Sequence, residues 1–259
     1  MSVEIALAAS RPPQRDSATP DGEGGIRFAL NNWKGLHTAG AAGTGVDPGV
    51  DPLSIGISGV GRHFRLPEFS ATPTNTLSIT SWGVSVDGLI PVLPATTAND
   101  GNALTLTASY VYGQSIADLY TGLTGGASFP ALPANAMGVV PTYAQDVDNG
   151  LAVFTADGTL HAVRWQSMLV GAQYYFPTPI RMWVSANYSH MSSPNIDVLA
   201  TASNKSKMFD KSDWVDGNYF VDANAAIRFG LEYAWFRQTY LDGVKGTNNR
   251  VQFSALYIF

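Results

Sequence analysis

The chain has 259 residues, of which 14% are charged and 45% hydrophobic, with a net charge of −5 and no cysteine. Soluble domains carry about 25% charged residues; here glycine and neutral polar residues stand in their place, and no run reaches the roughly 18 to 20 apolar residues of a spanning helix. These features exclude helical membrane insertion, disulfides and thiolate metal sites, and with no Lys/Arg run they argue against a nucleic-acid partner.

From the amino terminus, Met1-Ser2-Val3-Glu4-Ile5-Ala6-Leu7 has no basic n-region and alternates at once, so it is not a signal peptide. The spacing predicts about ten strands: 2–10, 25–31, 52–66, 75–92, 102–113, 159–176, 181–192, 214–222, 226–240 and 248–259. The second is short, and the segment 32–51 that follows is long enough to hold a missed strand pair or a plug. In the fourth, parity shifts near Ser81-Trp82, which points to a bulge. In the fifth, Leu104, Leu106, Ala108, Tyr110 and Tyr112 alternate with Thr105, Thr107 and Ser109.

Segment 114–158 opens with the helix-like Ser115-Ile116-Ala117-Asp118-Leu119-Tyr120 and carries Gly125-Gly126, Pro130, Pro133 and Pro141. Connections beyond about 12 to 15 residues are usually functional or disordered. This one is either a loop folded into a pore or a cover over its mouth, the cover being favoured. Val170, Ala172, Tyr174 and Phe176 then form one face of the next strand. Pro177-Thr178-Pro179 turns it into a strand in which Arg181, Trp183, Ser185 and Asn187 oppose Met182, Val184, Ala186 and Tyr188. A long connection, 193–213, follows. Ile227, Phe229, Leu231, Tyr233 and Trp235 then face away from Arg228, Gly230 and Glu232. The last strand sets Val251, Phe253, Ala255, Tyr257 and Phe259 against Arg250, Gln252 and Ser254.

Aromatic residues at the ends of alternating strands, short turns at one end and long connections at the other describe an all-β, antiparallel transmembrane β-barrel of about ten strands, possibly part of a larger barrel. The expected organisation is a single outer-membrane domain over 1–259, a carboxyl-terminal piece of a longer chain or a mature form. With the carboxyl terminus periplasmic, 177–180 and 223–225 are periplasmic turns, and 114–158 and 193–213 are extracellular. Terminal Phe259, with Tyr257 two positions before it, matches the signal that such barrels present to their assembly machinery. No cofactor or metal is implied.

Gly230-Leu231-Glu232-Tyr233, Leu241-Asp242-Gly243, Asn248-Asn249-Arg250-Val251-Gln252-Phe253-Ser254 and terminal Phe259 resemble the carboxyl-terminal hairpin of the DcaP-like trimeric porins. The resemblance is specific over about the last 35 residues and general in pattern elsewhere. It implies a sixteen-stranded porin in outer-membrane lipid that passes small solutes and assembles as a homotrimer. The family's periplasmic coiled coil and signal peptide have no counterpart in this sequence.

Parity places Arg62, Arg181, Arg228, Glu232, Arg250 and Gln252 on the inner, pore-lining face. They form either a cationic ladder that guides small anions such as carboxylates, or a lattice of ion pairs bracing the wall around Glu232. An alternative function rests on Tyr188-Ser189-His190-Met191-Ser192, where His190 and Ser192 share a strand face. Outer-membrane lipid hydrolases use such a pair, but Asn does not follow Ser192 directly, and no orienting acid is identifiable from sequence. A closed structural barrel is the third reading.

Overall fold

The computed structural model of the chain describes residues 1–11, 19–37, 49–97, 101–119, 134, 136–138, 147–148, 150–177, 179–200, 205–224 and 226–257. Among the described residues twelve strands run in chain order: β1 (Ser2–Ser10), β2 (Asp21–His37), β3 (Gly49–Pro67), β4 (Thr76–Leu93), β5 (Ala103–Gln114), β6 (Ala152–Phe154), β7 (Leu160–Ala162), β8 (Arg164–Tyr175), β9 (Met182–Ser192), β10 (Phe209–Asp222), β11 (Ile227–Tyr240) and β12 (Lys245–Tyr257). Ten of them form one sheet in the order β1-β2-β3-β4-β5-β8-β9-β10-β11-β12, and β6 and β7 pair by themselves. Each neighbouring pair in the large sheet is antiparallel. The sheet is a porin-like β-barrel wall, with β1 and β12 as its two edges.

Period-two alternation decides which side chain goes where. On the outer face, Phe28 lies opposite Ile55, and Tyr219, Leu231 and Phe253 form one row. These apolar side chains stay open to the surroundings: Ile55 is 50% exposed, Leu231 49% and Phe253 67%. On the inner face, Ala29 lies opposite Ser54, and Asn218, Glu232 and Gln252 form the row next to Tyr219, Leu231 and Phe253. A soluble sheet buries its apolar face. Here that face is bare and the opposite one is polar, the inversion that lipid requires.

Strand ends alternate between two rims. The upper rim carries the connections after β1, β3, β5, β9 and β11; the lower rim carries those after β2, β4, β8 and β10. The upper connection after β5 turns inward. Ile116, Ala117, Leu151, Ala152, Val153 and Phe154 bury themselves against inner-face Phe64, Leu66 and Trp165, joined by Ile196, Leu199 and Met208 from the connection after β9. Each fully buried side chain of the Leu or Phe class contributes about 1.5–3 kcal/mol relative to exposure, so this cluster fixes the segment firmly to the inner wall. The parts at 116–117, 147 and 151–154 therefore lie on the inner face, against the favoured expectation of an outside cover. Tyr120, Gly125-Gly126, Pro130, Pro133 and Pro141 lie outside the described residues.

The same cluster explains a misread signal. Through Ser81 and Trp82 the β3–β4 register is continuous, with Arg62 opposite Ser81 and Gly61 opposite Trp82, so there is no bulge at that point. Leu77 and Ile79 are apolar on the inner face because the inward segment covers them. The irregularity of β4 falls instead between Pro91 and Leu93. Likewise the predicted strand 159–176 is two elements, since β7 belongs to the small hairpin and Val163 separates it from β8. The strand expected to begin at 214 begins at Phe209, so the connection after β9 is shorter than 193–213.

At the lower rim, the second strand is far longer than 25–31. Beyond an irregularity between Leu30 and Lys34, β2 continues to His37 and pairs with Gly49–Pro52, forming an arm. The arm lies over the inner wall: Trp33 Nε1 donates to Pro91 O (2.7 Å), and Thr105 Oγ1 donates to Leu36 O (2.6 Å). Of the two expectations for 32–51, the described part gives paired strand used as a partial plug.

The close approach of β4 and β5 within the wall is testable at Gly113. A Cβ there would lie 2.6 Å from Gly83 Cα and 2.6 Å from Trp82 O, both backbone atoms. Gly113→Val should therefore cost about 1–3 kcal/mol, the range for overpacking. Gly217→Val, where nothing lies within 4 Å of the added atom, should be nearly neutral. Thermal unfolding of the detergent-folded protein, followed by circular dichroism, compares the two; equal melting curves would refute the close fit.

Candidate functional site

The inner face is built around charged groups that the strands deliver in opposing pairs. At the upper rim, β5 ends at Gln114 and the backbone turns through Ser115, whose φ of 55° is left-handed for a residue with a side chain. Such a conformation costs of order 1–3 kcal/mol and persists only where its surroundings over-determine it. They do so here. Ser115 N–H donates to Val163 O (2.8 Å), its hydroxyl donates to Leu151 O (2.8 Å), and Ser81 Oγ donates to Ser115 Oγ (2.7 Å).

Arg62 closes this node. Its Nη1 donates to Ser115 O (2.7 Å), its Nη1 and Nη2 grip both oxygens of Asp118 (2.5 and 2.7 Å), and its Nε donates to Asp21 (2.8 Å). The Arg62 side chain is 1% exposed. Arg62 is on the inner face, as parity predicts, but it is shared between two carboxylates and enclosed.

Lower down, Tyr175, Trp183 and Phe220 stack in series with ring centroids 6.0 and 4.9 Å apart. The Arg228 guanidinium lies 4.4 Å from the Trp183 ring centroid, and its Nε donates to Asp222 (2.6 Å). Leu36 of the arm packs on the same aromatic group. Of the two arginines expected to pair with Glu232, Arg250 does so, and Arg228 turns instead to the end of β10. Gln252 stands opposite Glu232 in register. Arg181 precedes β9 at the lower rim and is exposed, with its carbonyl accepting from Asp222 N–H (2.8 Å). Tyr257 is 72% exposed on the outer face, opposite Ile227. Phe259 lies outside the described residues.

Between the upper segment and the lower arm is an open cleft of about 390 Å³ lined by Arg27, His37, Ser54, Asp87, Thr107 and Ser109, among others. Arg27 and Asp87 flank Gly56 on adjacent strands. Arg27 donates to Ser54 Oγ (3.2 Å) and pairs with Glu4 (3.3 Å), and His37 Nδ1 meets Asp51 (3.1 Å). The sequence reading did not single out Arg27, His37 or Asp87. The alternation Gly25, Arg27, Ala29 was the available signal for the first, while His37 comes inward only through the arm. Across the inner face, Glu4, Asp21, Glu23, Asp87, Asp118, Asp216, Asp222 and Glu232 outnumber Arg27, Arg62, Arg181, Arg228 and Arg250. The arginines do not form an unpaired cationic ladder.

His190 and Ser192 do share the outer face at the upper rim, and an orienting acid exists that sequence reasoning missed. Asp213, across the β9–β10 pair, accepts from His190 Nδ1 (2.8 Å), Tyr188 Oη (3.1 Å) and Arg237 Nη2 (2.8 Å). Ser192 Oγ accepts from Gln166 Nε2 (3.1 Å). No His190–Ser192 hydrogen bond forms among the described residues. Among those residues, too, no cluster of His, Asp and Glu is arranged to hold a metal ion.

No protein-family model matches the chain, and no curated protein does. A solved structure does: the outer membrane channel DcaP of Acinetobacter baumannii, at a TM-score of 0.60 and 14% sequence identity over 100% of this chain. The chain spans 59% of that channel's length. The fold is that of a DcaP-like porin.

Removing the Arg62 guanidinium would leave Asp21 and Asp118 facing each other without their cation. Loss of one partner from a buried ion pair costs about 3–5 kcal/mol, so Arg62→Met should free the segment at 115–119. Limited proteolysis of the folded protein should then cut within 115–163 many times faster than in the parent. Resistance equal to the parent's would show that apolar packing alone holds the segment.

Proposed function

We propose that this chain forms much of the wall of an outer-membrane porin, a channel for passive diffusion of small hydrophilic solutes. The observation that carries the reading is the sheet's inversion, a bare apolar outer face against a charged inner face that two inward segments narrow without covering. Likeness of fold to an outer-membrane channel supports it. In lipid, unpaired backbone groups along β1 and β12 would each be costly, so the wall is completed by pairing of these edges, with each other or with further strands. The domain is then one barrel, oriented with its lower rim periplasmic and its upper rim extracellular, and a trimer is its expected assembly.

Of the expected pore-lining residues, Arg181, Glu232, Arg250 and Gln252 line the pore in this reading, with Arg27 and Asp87 at the open cleft, while Arg62 and Arg228 are enclosed on the inner wall. The finer expectation, a preference for anions such as carboxylates, loses Arg62, Arg228 and Arg250 to ion pairs and leaves Arg181 to carry it. A paired arginine contributes little net potential to a hydrated lumen, and the surplus carboxylates pull the other way. Weak charge selection, slightly favouring cations, is the result.

Planar-bilayer recordings test this. The inserted protein should conduct in steps, with a small reversal potential on the cation side of a salt gradient. Arg250→Gln should move it further that way, and Glu232→Gln should move it towards anions. A strongly anion-selective parent would restore the arginine ladder. Absence of conductance, together with release of fatty acid from phospholipid that His190→Ala abolishes, would replace transport by lipid hydrolysis.

Delivery to the membrane is a separate expectation. Deleting Phe259 should lower the amount of membrane-inserted protein in cells while leaving the melting temperature of what does insert nearly unchanged, because recognition by the assembly machinery would act on the terminal aromatic. Equal insertion of the two forms argues against that role.

A further inference from the structure

The outer face sorts its charges as sharply as the inner face mixes them. Among the described strand residues that point outward, every charged or ionisable cationic group lies near the upper rim: His63 and Arg65 on β3, Arg164 on β8, His190 on β9, and Lys211, Arg237 and Lys245 on β10 to β12. On β8 to β12 the single outward carboxylate is Asp213. It is turned to internal use. Its side chain is 9% exposed and accepts from His190, Tyr188 and Arg237. Asp242, in the turn above, has its carboxylate on Val244 N–H (3.0 Å).

The densest part is a three-cornered group. Lys211 and Lys245 lie on either side of Thr239 in one row of the sheet, two strand spacings or roughly 10 Å apart. Arg237 sits one outward position along β11 from Thr239, between them. Asp213 takes Arg237 by Nε (3.3 Å) and Nη2 (2.8 Å), which orients the guanidinium and leaves Nη1 without a partner among the described residues. Lys211 and Lys245 are exposed. Immediately beneath come Val215, Trp235 and Tyr233, then Val251 and Phe253, the apolar band.

We propose that this corner of the outer face binds the phosphate groups of an anionic lipid in the membrane leaflet at the upper rim, as a glycolipid phosphorylated on its sugars would present them. The inference rests on the membrane reading above and goes beyond it in naming a site and a head-group chemistry. Cationic groups seated at the top of an apolar band match a molecule with acyl chains below and phosphates above, whereas a free anion would have no use for the band. A second copy of this chain is a poorer occupant. The described outer face has no free carboxylate for Lys211 and Lys245 to meet, so a contact between two copies would bury the lysines unpaired.

The test uses the whole chain folded in detergent, with a bis-phosphorylated acylated glucosamine disaccharide and its dephosphorylated form as probes. Native mass spectrometry should show retention of the phosphorylated glycolipid only. Lys211→Gln with Lys245→Gln should weaken retention roughly 30-fold, from the contribution of each basic residue near an anionic surface, while the unfolding transition stays where it was. Equal retention of both glycolipids, or no loss in the double variant, overturns the proposal. Displacement by inorganic phosphate at comparable concentration would make the corner a free-anion site, and a change of oligomeric mass in the double variant would make it an interface between copies; either also overturns it. Failure of the membrane reading shows differently, as a protein that does not insert into phosphatidylcholine vesicles at all.

Discussion

The buried guanidinium of Arg62 is the constraint on which the upper half of the inner face depends. It holds Asp21 from the start of β2, Asp118 from the turn after β5 and the carbonyl of Ser115 at one point. In a low-dielectric setting a charge is tolerable only when its donors and its counter-charges are all engaged, and here Nε, Nη1 and Nη2 all are. The geometry of the node explains why Ser115 can remain left-handed: its amide, hydroxyl and carbonyl are each fixed from a different direction. Because the chain turns inward at that residue, Ile116, Leu151 and Phe154 can reach Phe64 and Leu66, and an apolar cluster grows on the polar side of the sheet. One ion-paired node thus turns part of a long upper connection onto the inner face. Its carboxylate surplus remains incompletely satisfied, since Asp21 Oδ1 has no hydrogen-bond partner among the described residues.

The two faces handle charge by opposite rules, and the reason is the medium each meets. Inside, water can enter, so acids and bases are mixed along the wall, several of them in pairs. Outside, the apolar band admits none, and on β8 to β12 the charges at its upper border are cationic apart from Asp213. Long basic side chains suit that border because their stems stay with apolar neighbours while their heads reach water or phosphate. The Arg237 guanidinium over the Trp235 ring, 5.2 Å from its centroid, shows the same compromise within one residue pair.

Most of the wall was legible in the sequence because period-two alternation survives without tertiary help. The limits of β1, β4, β5, β9 and β11 come within a residue of expectation, and the terminal hairpin keeps its expected faces. What was not legible depends on contacts between distant segments. The extension of β2 to His37 is invisible locally because its hydrogen-bonding partner, Gly49–Pro52, lies beyond a further stretch of chain. Leu77 and Ile79 read as a parity error because an inward apolar residue makes sense only once the segment from Ile116 to Phe154 is laid over it. Partner choice among the arginines held for Arg250 with Glu232 and failed for Arg228, for a related reason. Parity assigned Arg228 and Glu232 to the same face correctly, but Arg228 prefers a flat aromatic surface at Trp183 with Asp222 beside it, and neither was foreseen from spacing along β11.

The cluster at His190 shows how the same residues carry different chemistry according to where their donors point. A histidine oriented by an acid through Nδ1 is poised to take a proton at Nε2, and Asp213 supplies that orientation. A nucleophilic serine must then offer its hydroxyl to Nε2. Ser192 instead accepts a hydrogen bond from Gln166, and its neighbour across the strand pair is Lys211. Meanwhile Asp213 divides its oxygens among His190, Tyr188 and Arg237, so the imidazole is one spoke of a hub. A hub of this kind fixes the direction of every cation attached to it, at the height where the apolar band ends. Rigid, outward-facing cations at that border serve recognition of an anionic head group better than proton transfer. The acid that would have completed a catalytic reading thereby becomes the strut of a binding corner.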